Sequence, residues 1–221
     1  MRYSGPVNGF ILAGGQSRRM GRDKAMLLFR GKPLITHAIE TLRALDLDPR
    51  ICGCRSDLAG FAPVVPDRIP GCGPLGGIEA ALSITESDLN LFLPVDLPDL
   101  PRSFLQWMMA RAENSGAIAT IPSCGGRMQP LCAIYHRSLA AGLRQALESG
   151  QYKVMAALCA AAASLGESMD VFQVESVASA LLPGVWPGEP ALRHWFRNLN
   201  APADLEIAIH ATGGNACNPI S

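Results

Sequence analysis

The chain has 221 residues, Lys plus Arg 19 balanced by Asp plus Glu 19, with 48% hydrophobic and 17% charged side chains. That composition excludes a disordered or highly solvated polymer. Zero net charge also removes the long-range basic field of a non-specific nucleic-acid binder, so a phosphate ligand has to be held by locally clustered charge.

A chain of this length suits one α/β domain that buries about 70% of its unfolded surface. The seven cysteines (Cys52, Cys54, Cys72, Cys124, Cys132, Cys159, Cys217) are scattered, with no C-x-x-C and no paired metal-ligand spacing. They read as reduced thiols of a cytoplasmic protein. The apolar run Phe10–Ala13 is too short for a secretory signal. Ser17-Arg18-Arg19 is followed by Met-Gly-Arg-Asp-Lys rather than the apolar stretch of a twin-arginine signal, and the Ala-rich run Val154–Leu165 falls short of the roughly 20 residues that span a bilayer. No membrane contact is expected.

In chain order, Val7–Leu12 reads as a buried strand that stops at Gly14-Gly15. Pro33 is placed as the first helical residue, ahead of Ile35, Ile39, Leu42 and Leu45 on one helical face. Arg50–Cys54 and Pro63–Val65 follow as strands, then a helix carrying Leu75, Ile78 and Leu82. Leu89–Pro94 is a fourth strand, Phe104–Arg111 a helix and Ala117–Ile121 a fifth strand. Leu131, Ala133 and Tyr135 alternate as in a strand with one face buried. Two Ala/Leu-rich helices are expected at about 138–148 and 153–164, then a strand over Asp170–Val174. Pro183–Pro190 reads as a loop, Pro202 as the start of a last helix, and the stretch from residue 211 as a frayed tail. Strands alternating with helices imply a mostly parallel sheet in a single domain over 1–221, with its core at about 7–210.

Chemistry concentrates directly after the first strand, in Leu12-Ala13-Gly14-Gly15-Gln16-Ser17-Arg18-Arg19-Met20-Gly21-Arg22-Asp23-Lys24. Ligands of open α/β sheets bind outside the carboxyl ends of strands. Glycines let backbone N–H groups face an anion while Arg and Lys neutralise it. The run lacks the Gly-Lys-Ser/Thr of a Walker A loop, and a solvated basic turn is the plainer alternative. From Arg18 to Lys32 six basic residues stand against the single acid Asp23, a +5 segment set against a −5 remainder.

Gly71, Gly73 and Gly76 spell a literal G-x-G-x-x-G, but Pro74 lies inside it and it follows the third expected strand, which argues against a dinucleotide fingerprint. Asp67 beside it forms either a wall of a nucleotide pocket or a tight loop. Asp96 sits at the carboxyl end of the fourth strand, stiffened by Pro94 and Pro98. It reads equally as a Mg²⁺ anchor opposite the basic loop or as a cap of the next element. Asp99, on the exposed side of that turn, reads as a cap. His37, His136, His194 and His210 do not cluster and read as structural, and the pair Trp195-Phe196 reads as core rather than as a ligand cover.

Together these motifs resemble the molybdenum cofactor guanylyltransferases. The opening signature L-A-G-G-x-S-x-R-M-G-x-D-K is met at every fixed position from Leu12 to Lys24. Weaker matches follow in order: Gly31-Lys32-Pro33-Leu34, Asp67 with Gly73-Pro74-Leu75-Gly76-Gly77, Leu93–Pro98, Gln129-Pro130-Leu131 with Tyr135, and Asn198–Leu205. The resemblance implies a Rossmann-like three-layer fold of the nucleotide-diphospho-sugar transferase type. It also implies transfer of GMP from GTP to the terminal phosphate of molybdopterin or its molybdenum form, with release of pyrophosphate.

Carried over, Leu12, Ala13, Gly14 and Gly15 line the guanine pocket, Lys24 and Arg19 meet the GTP phosphates, Asp67 meets the nucleoside and Asp96 holds Mg²⁺. Gly21, Gly73, Gly77, Asn198 and Asn200 border the pterin. The resemblance further implies transient contact with cofactor-biosynthesis proteins and molybdoenzyme apoproteins. Three departures stand out: Cys52-Gly53-Cys54-Arg55 where the family carries an asparagine, Val95 and Leu97 around Asp96, and Ala201 for a threonine.

The related cytidylyltransferases carry L-A-A-G where this chain has Leu12-Ala13-Gly14-Gly15, and Gly14 leaves room for a purine. The alternatives are a cytidylyltransferase, another small nucleotidyltransferase such as one acting on sugar phosphates, or a non-catalytic module that delivers molybdopterin.

Overall fold

The computed structural model describes residues 5–14, 23–180 and 192–199. The expected loop over Pro183–Pro190, the helix from Pro202, the tail from 211, His210 and Cys217 lie outside them. In chain order the strands are β1 (Asn8–Leu12), the hairpin pair β2 (Leu28–Phe29) and β3 (Lys32–Pro33), β4 (Pro49–Cys52), β5 (Val64–Val65), β6 (Leu89–Pro94), β7 (Ala119–Cys124), β8 (Arg127–Met128), β9 (Ala133–His136) and β10 (Met169–Gln173). The helices are α1 (Leu34–Arg43), α2 (Pro74–Ile84), α3 (Arg102–Ser115), α4 (Ala140–Glu148), α5 (Val154–Ser164), α6 (Val174–Ala180) and α7 (Leu192–Trp195).

The main sheet runs β10-β7-β9-β6-β1-β4-β5, with β8 paired to β7. The pairs β1–β4, β1–β6, β4–β5 and β7–β10 are parallel, while β9 lies antiparallel between β6 and β7. Burial on both faces explains why the central strands are near-continuous apolar runs. Along β6, Leu91 and Leu93 pack with residues of α1 and α3 on one face. Phe92 points to the other, stacking on Phe10 at 5.3 Å and meeting Tyr135 at 5.5 Å, within the core shared with α2, α4 and α5. Helices on both faces make three layers.

Several expectations shift. Pro33 ends β3 and caps α1 instead of opening it. In β9, Ala133, Ile134 and Tyr135 are all buried, not one face only, because the strand sits between two neighbours beneath helices on both sides. Val174 begins α6 rather than ending a strand. The β2–β3 hairpin turns on Arg30 and Gly31, whose φ angles are 47° and 78°, the pairing that a two-residue hairpin loop demands. No described helix is long and apolar enough to cross a membrane.

The topology fixes where a ligand can sit. From β1 the chain moves outward on one side to β4 and β5, then returns across the sheet to β6 on the other side of β1. At such a switch point the loops after neighbouring strands diverge and open a crevice at the strands' carboxyl ends. Those loops carry Ala13-Gly14, Gly53–Arg55, Asp67 and Asp96.

Candidate active site

Two strand ends form the floor. The Val95 N–H donates to the Leu12 carbonyl at 3.2 Å, which extends the β1–β6 ladder one step past the strands and holds Asp96 beside the exit of β1. Leu12 and Ala13 are buried, whereas Gly14 is exposed, and among the described residues a Cβ added to Gly14 would meet nothing within 4 Å.

Lys24 opens a short 3-10 turn, Lys24–Met26, capped by Asp23, whose carboxylate accepts from the Ala25 N–H at 3.1 Å. The cap directs Lys24 to Asp96, with Nζ 3.3 Å from Oδ2 and side-chain exposures of 29% and 15%. The two charges singled out in the sequence therefore meet, although 72 residues separate them. A partly buried pair of this kind holds geometry more than it stabilises the fold, and it leaves both groups within reach of a ligand.

Asp67 enters from the loop after β5. Its Oδ1 is buried and has no hydrogen-bond partner within the described protein. Burial, followed by repulsion from Glu79, pushes its carboxyl above the usual range. The close approach of α2 depends on its glycines: a Cβ on Gly77 would lie 3.1 Å from the Cys52 Cβ and 3.5 Å from Asp67 Oδ1. Gly77 is thus buried against the β4 end and Asp67, while Gly73, with φ 64°, is exposed where it caps α2. Desolvation and the nearby Asp67 charge push the Cys52 thiol well up, so it packs as a small apolar group.

The other wall comes from the segment 192–199. The Leu199 N–H donates to the Asp96 carbonyl at 3.1 Å, which sets exposed Asn198 next to the Asp96 turn. Trp195 is buried and packs on Phe104 at 5.1 Å, and Phe196 meets the same ring edge-on at 5.9 Å, so this pair belongs to the core.

Asp99 is neither exposed nor a cap. It is 6% exposed and takes Arg30 at 3.1 Å and Arg197 at 3.6 Å, and burial beneath the hairpin and the 192–199 segment accounts for the need of two cations. His37 Nε2 lies 2.7 Å from the Phe29 carbonyl, a structural contact.

Gly15, Arg18, Arg19, Gly21 and Asn200 lie outside the described residues. Sequence reasoning missed Arg55 and the capping role of Asp23. A lone arginine three residues past an apolar strand end, after a glycine, was the available signal for the first. For the second it was an aspartate immediately before the lysine.

Among the described residues no three His, Cys, Asp or Glu side chains group as a metal cage. Asp96 offers a single hard oxygen donor set against a lysine. That donor set fits Mg²⁺, which takes one or two carboxylates and completes its shell with water and phosphate, and it fits neither zinc nor calcium held by protein alone.

Comparison with known proteins gives this geometry a family. The model of the MobA-like NTP transferase domain matches residues 9–163. A probable molybdenum cofactor guanylyltransferase of Pyrococcus horikoshii is 31% identical, over 89% of this chain and 96% of its own. The molybdenum cofactor guanylyltransferase of Syntrophotalea carbinolica is 36% identical over 65% of this chain and 70% of its own. Among solved structures, the molybdopterin-guanine dinucleotide biosynthesis protein A of Archaeoglobus fulgidus superposes with a TM-score of 0.70 at 24% identity, covering 91% of this chain and 96% of that one. The 2-C-methyl-D-erythritol 4-phosphate cytidylyltransferase of Thermus thermophilus gives 0.58 at 14% identity, covering 90% and 95%. These likenesses bear on the fold, a single α/β domain shared with nucleotidyltransferases. With the family model covering most of its length and with relatives at this identity, the chain belongs to the MobA-like NTP transferase domain family and is a nucleotidyltransferase.

Proposed function

We infer that this nucleotidyltransferase is a molybdenum cofactor guanylyltransferase, which joins GMP from GTP to the terminal phosphate of molybdopterin or molybdenum-molybdopterin. The observation that carries the chemistry is the Lys24–Asp96 pair, 3.3 Å apart at the switch point of the sheet. In the reaction an oxygen of the acceptor phosphate attacks the α-phosphorus of GTP, the bond to the β-phosphate bridging oxygen breaks, and pyrophosphate leaves with the electron pair. The acceptor is already ionised at neutral pH, so positioning and charge neutralisation do most of the work.

Asp96 would hold Mg²⁺, which when bound supplies Lewis-acid polarisation at the phosphates. Lys24 exchanges its contact with Asp96 for the β- and γ-phosphates, joined there by Arg19. Leu12, Ala13, Gly14 and Gly15 form the edge of the guanine pocket, and Asp67 offers its unpartnered oxygen to the nucleoside. Asn198, Asn200, Gly73 and Gly21 border the pterin, while Gly77 serves the site by letting α2 approach. The lack of a side chain at exposed Gly14 supports GTP over CTP, since a methyl group there would take room from the larger base. The free thiols of the described cysteines, two of them exposed, suit a cytoplasmic setting. There the product would pass to molybdoenzyme apoproteins or other cofactor-biosynthesis proteins through transient contacts.

Asp96→Ala tests the assignment. At saturating Mg²⁺ the variant should lose about 10²-fold or more in turnover, the scale of a missing electrostatic stabiliser. Near wild-type turnover would remove Asp96 from the reaction.

A further inference from the structure

Arg55 lies three residues past the end of β4, and its surroundings give it a task. Gly53 makes it possible. With φ 118°, Gly53 turns the exit of β4 back toward β1, so closely that a Cβ there would lie 3.4 Å from the Gly14 Cα. The turn tucks Arg55 between Ala13 and Asp23, where it is 6% exposed.

Its guanidinium bonds three partners through all three nitrogens. Nη1–H donates to the Ala13 carbonyl at 2.9 Å, Nη2–H donates to Asp23 Oδ2, and the Asp57 carboxylate accepts from Nε–H at 3.0 Å and Nη2–H at 2.8 Å. Ala13 lies at the entry of the loop that follows β1, and Asp23 at its exit. Asp23 in turn caps the 3-10 turn that carries Lys24. One planar fork therefore closes the loop across its base, and lysine, a single point charge, lacks the geometry to do the same.

We propose that Arg55 is a positioning residue that fixes the distance between the base-side edge of the site, at Ala13-Gly14, and its phosphate-side edge, at Lys24. The inference rests on the guanylyltransferase reading, in which GTP spans both edges. A ligand that touches both edges gains from their fixed separation, and a ligand that touches one does not.

The test is equilibrium binding with Mg²⁺ of labelled GTP, of GMP and of inorganic tripolyphosphate, alongside thermal unfolding of each variant. Arg55→Gln and Arg55→Lys should each weaken GTP about tenfold or more while GMP and tripolyphosphate stay within about twofold. Asp57→Ala should leave GTP within about threefold, because that carboxylate is exposed and outside the loop. Asp23→Asn cuts the same bridge from its other end, should match Arg55→Gln, and should add little to it in the double variant. It also keeps the question answerable if the Arg55 variants do not fold. Unchanged GTP binding, equal losses for all three ligands, or an Asp57→Ala defect as large as that of Arg55→Gln would each overturn the proposal. A wild-type protein that binds no GTP, or binds it independently of Lys24, would instead overturn the functional reading beneath it.

Discussion

Asp67 illustrates what the site costs the fold. A buried carboxylate oxygen with no partner among the described residues, and with Glu79 as a second negative group, favours the protonated acid, so the folded chain holds that proton more tightly than the unfolded chain does. With the folded value raised, Asp67 favours folding below the ordinary carboxylate range and opposes it as pH rises through the raised value. Asp67→Asn should therefore raise the melting temperature at pH 7 by a few degrees, on a scale of about 2–4 °C per kcal/mol, and the gain should vanish near pH 3. The same variant should weaken GTP binding. Calorimetric melts at the two pH values check the first part, and a stabilisation that persists at pH 3 would mean that charge burial is not its source.

Gly142 shows the same logic at the level of elements. Helix α4 lies so close to α5 that a Cβ on Gly142 would sit 2.5 Å from the Ala161 Cβ and 2.9 Å from its Cα. Helix propensity favours alanine over glycine by about 1 kcal/mol, yet overpacking here costs about 1–3 kcal/mol and involves backbone that cannot swing aside. Gly142→Ala should lower the melting temperature. It should leave turnover per folded molecule unchanged, since neither helix contributes to the site.

That contact was invisible in the sequence, where Gly142 sits in an ordinary Ala/Leu-rich pattern. β6 runs over the same six residues as expected, from Leu89 to Pro94, because a mostly apolar run bounded by an aspartate and prolines admits little else, and its one polar member, Asn90, is buried with hydrogen-bond partners. The expected Asp99 cap failed because Arg30 and Arg197, its partners, are 69 and 98 positions away along the chain. Gly14, Lys24 and Asp96 each lie in a local motif that the sequence displays, whereas nothing local marks Arg55, whose partners Ala13 and Asp23 are 42 and 32 positions away.

Charge distribution links these scales across the molecule. The stretch from Arg18 to Lys32 carries a +5 excess, offset by the acidic remainder. Its described cations each meet an acid from elsewhere or from the following helix: Lys24 meets Asp96, Arg30 meets Asp99, and Lys32 meets Glu40 at 2.6 Å. Segregation along the chain thus becomes pairing in space, and the hairpin and the Lys24 turn are drawn onto the turn after β6. Arg30 meets a buried acid, and Lys32 is held in a surface pair. That leaves the Lys24–Asp96 pair as the described place where a polyphosphate and its cation could exchange for protein partners.

The central claim, guanylyl transfer at that place, is met most directly by incubating the purified protein with molybdopterin, Mg²⁺ and equal concentrations of GTP and CTP. The account predicts molybdopterin guanine dinucleotide with one pyrophosphate released per dinucleotide and little of the cytosine product. A preference for CTP, or pyrophosphate release without a dinucleotide, would contradict it.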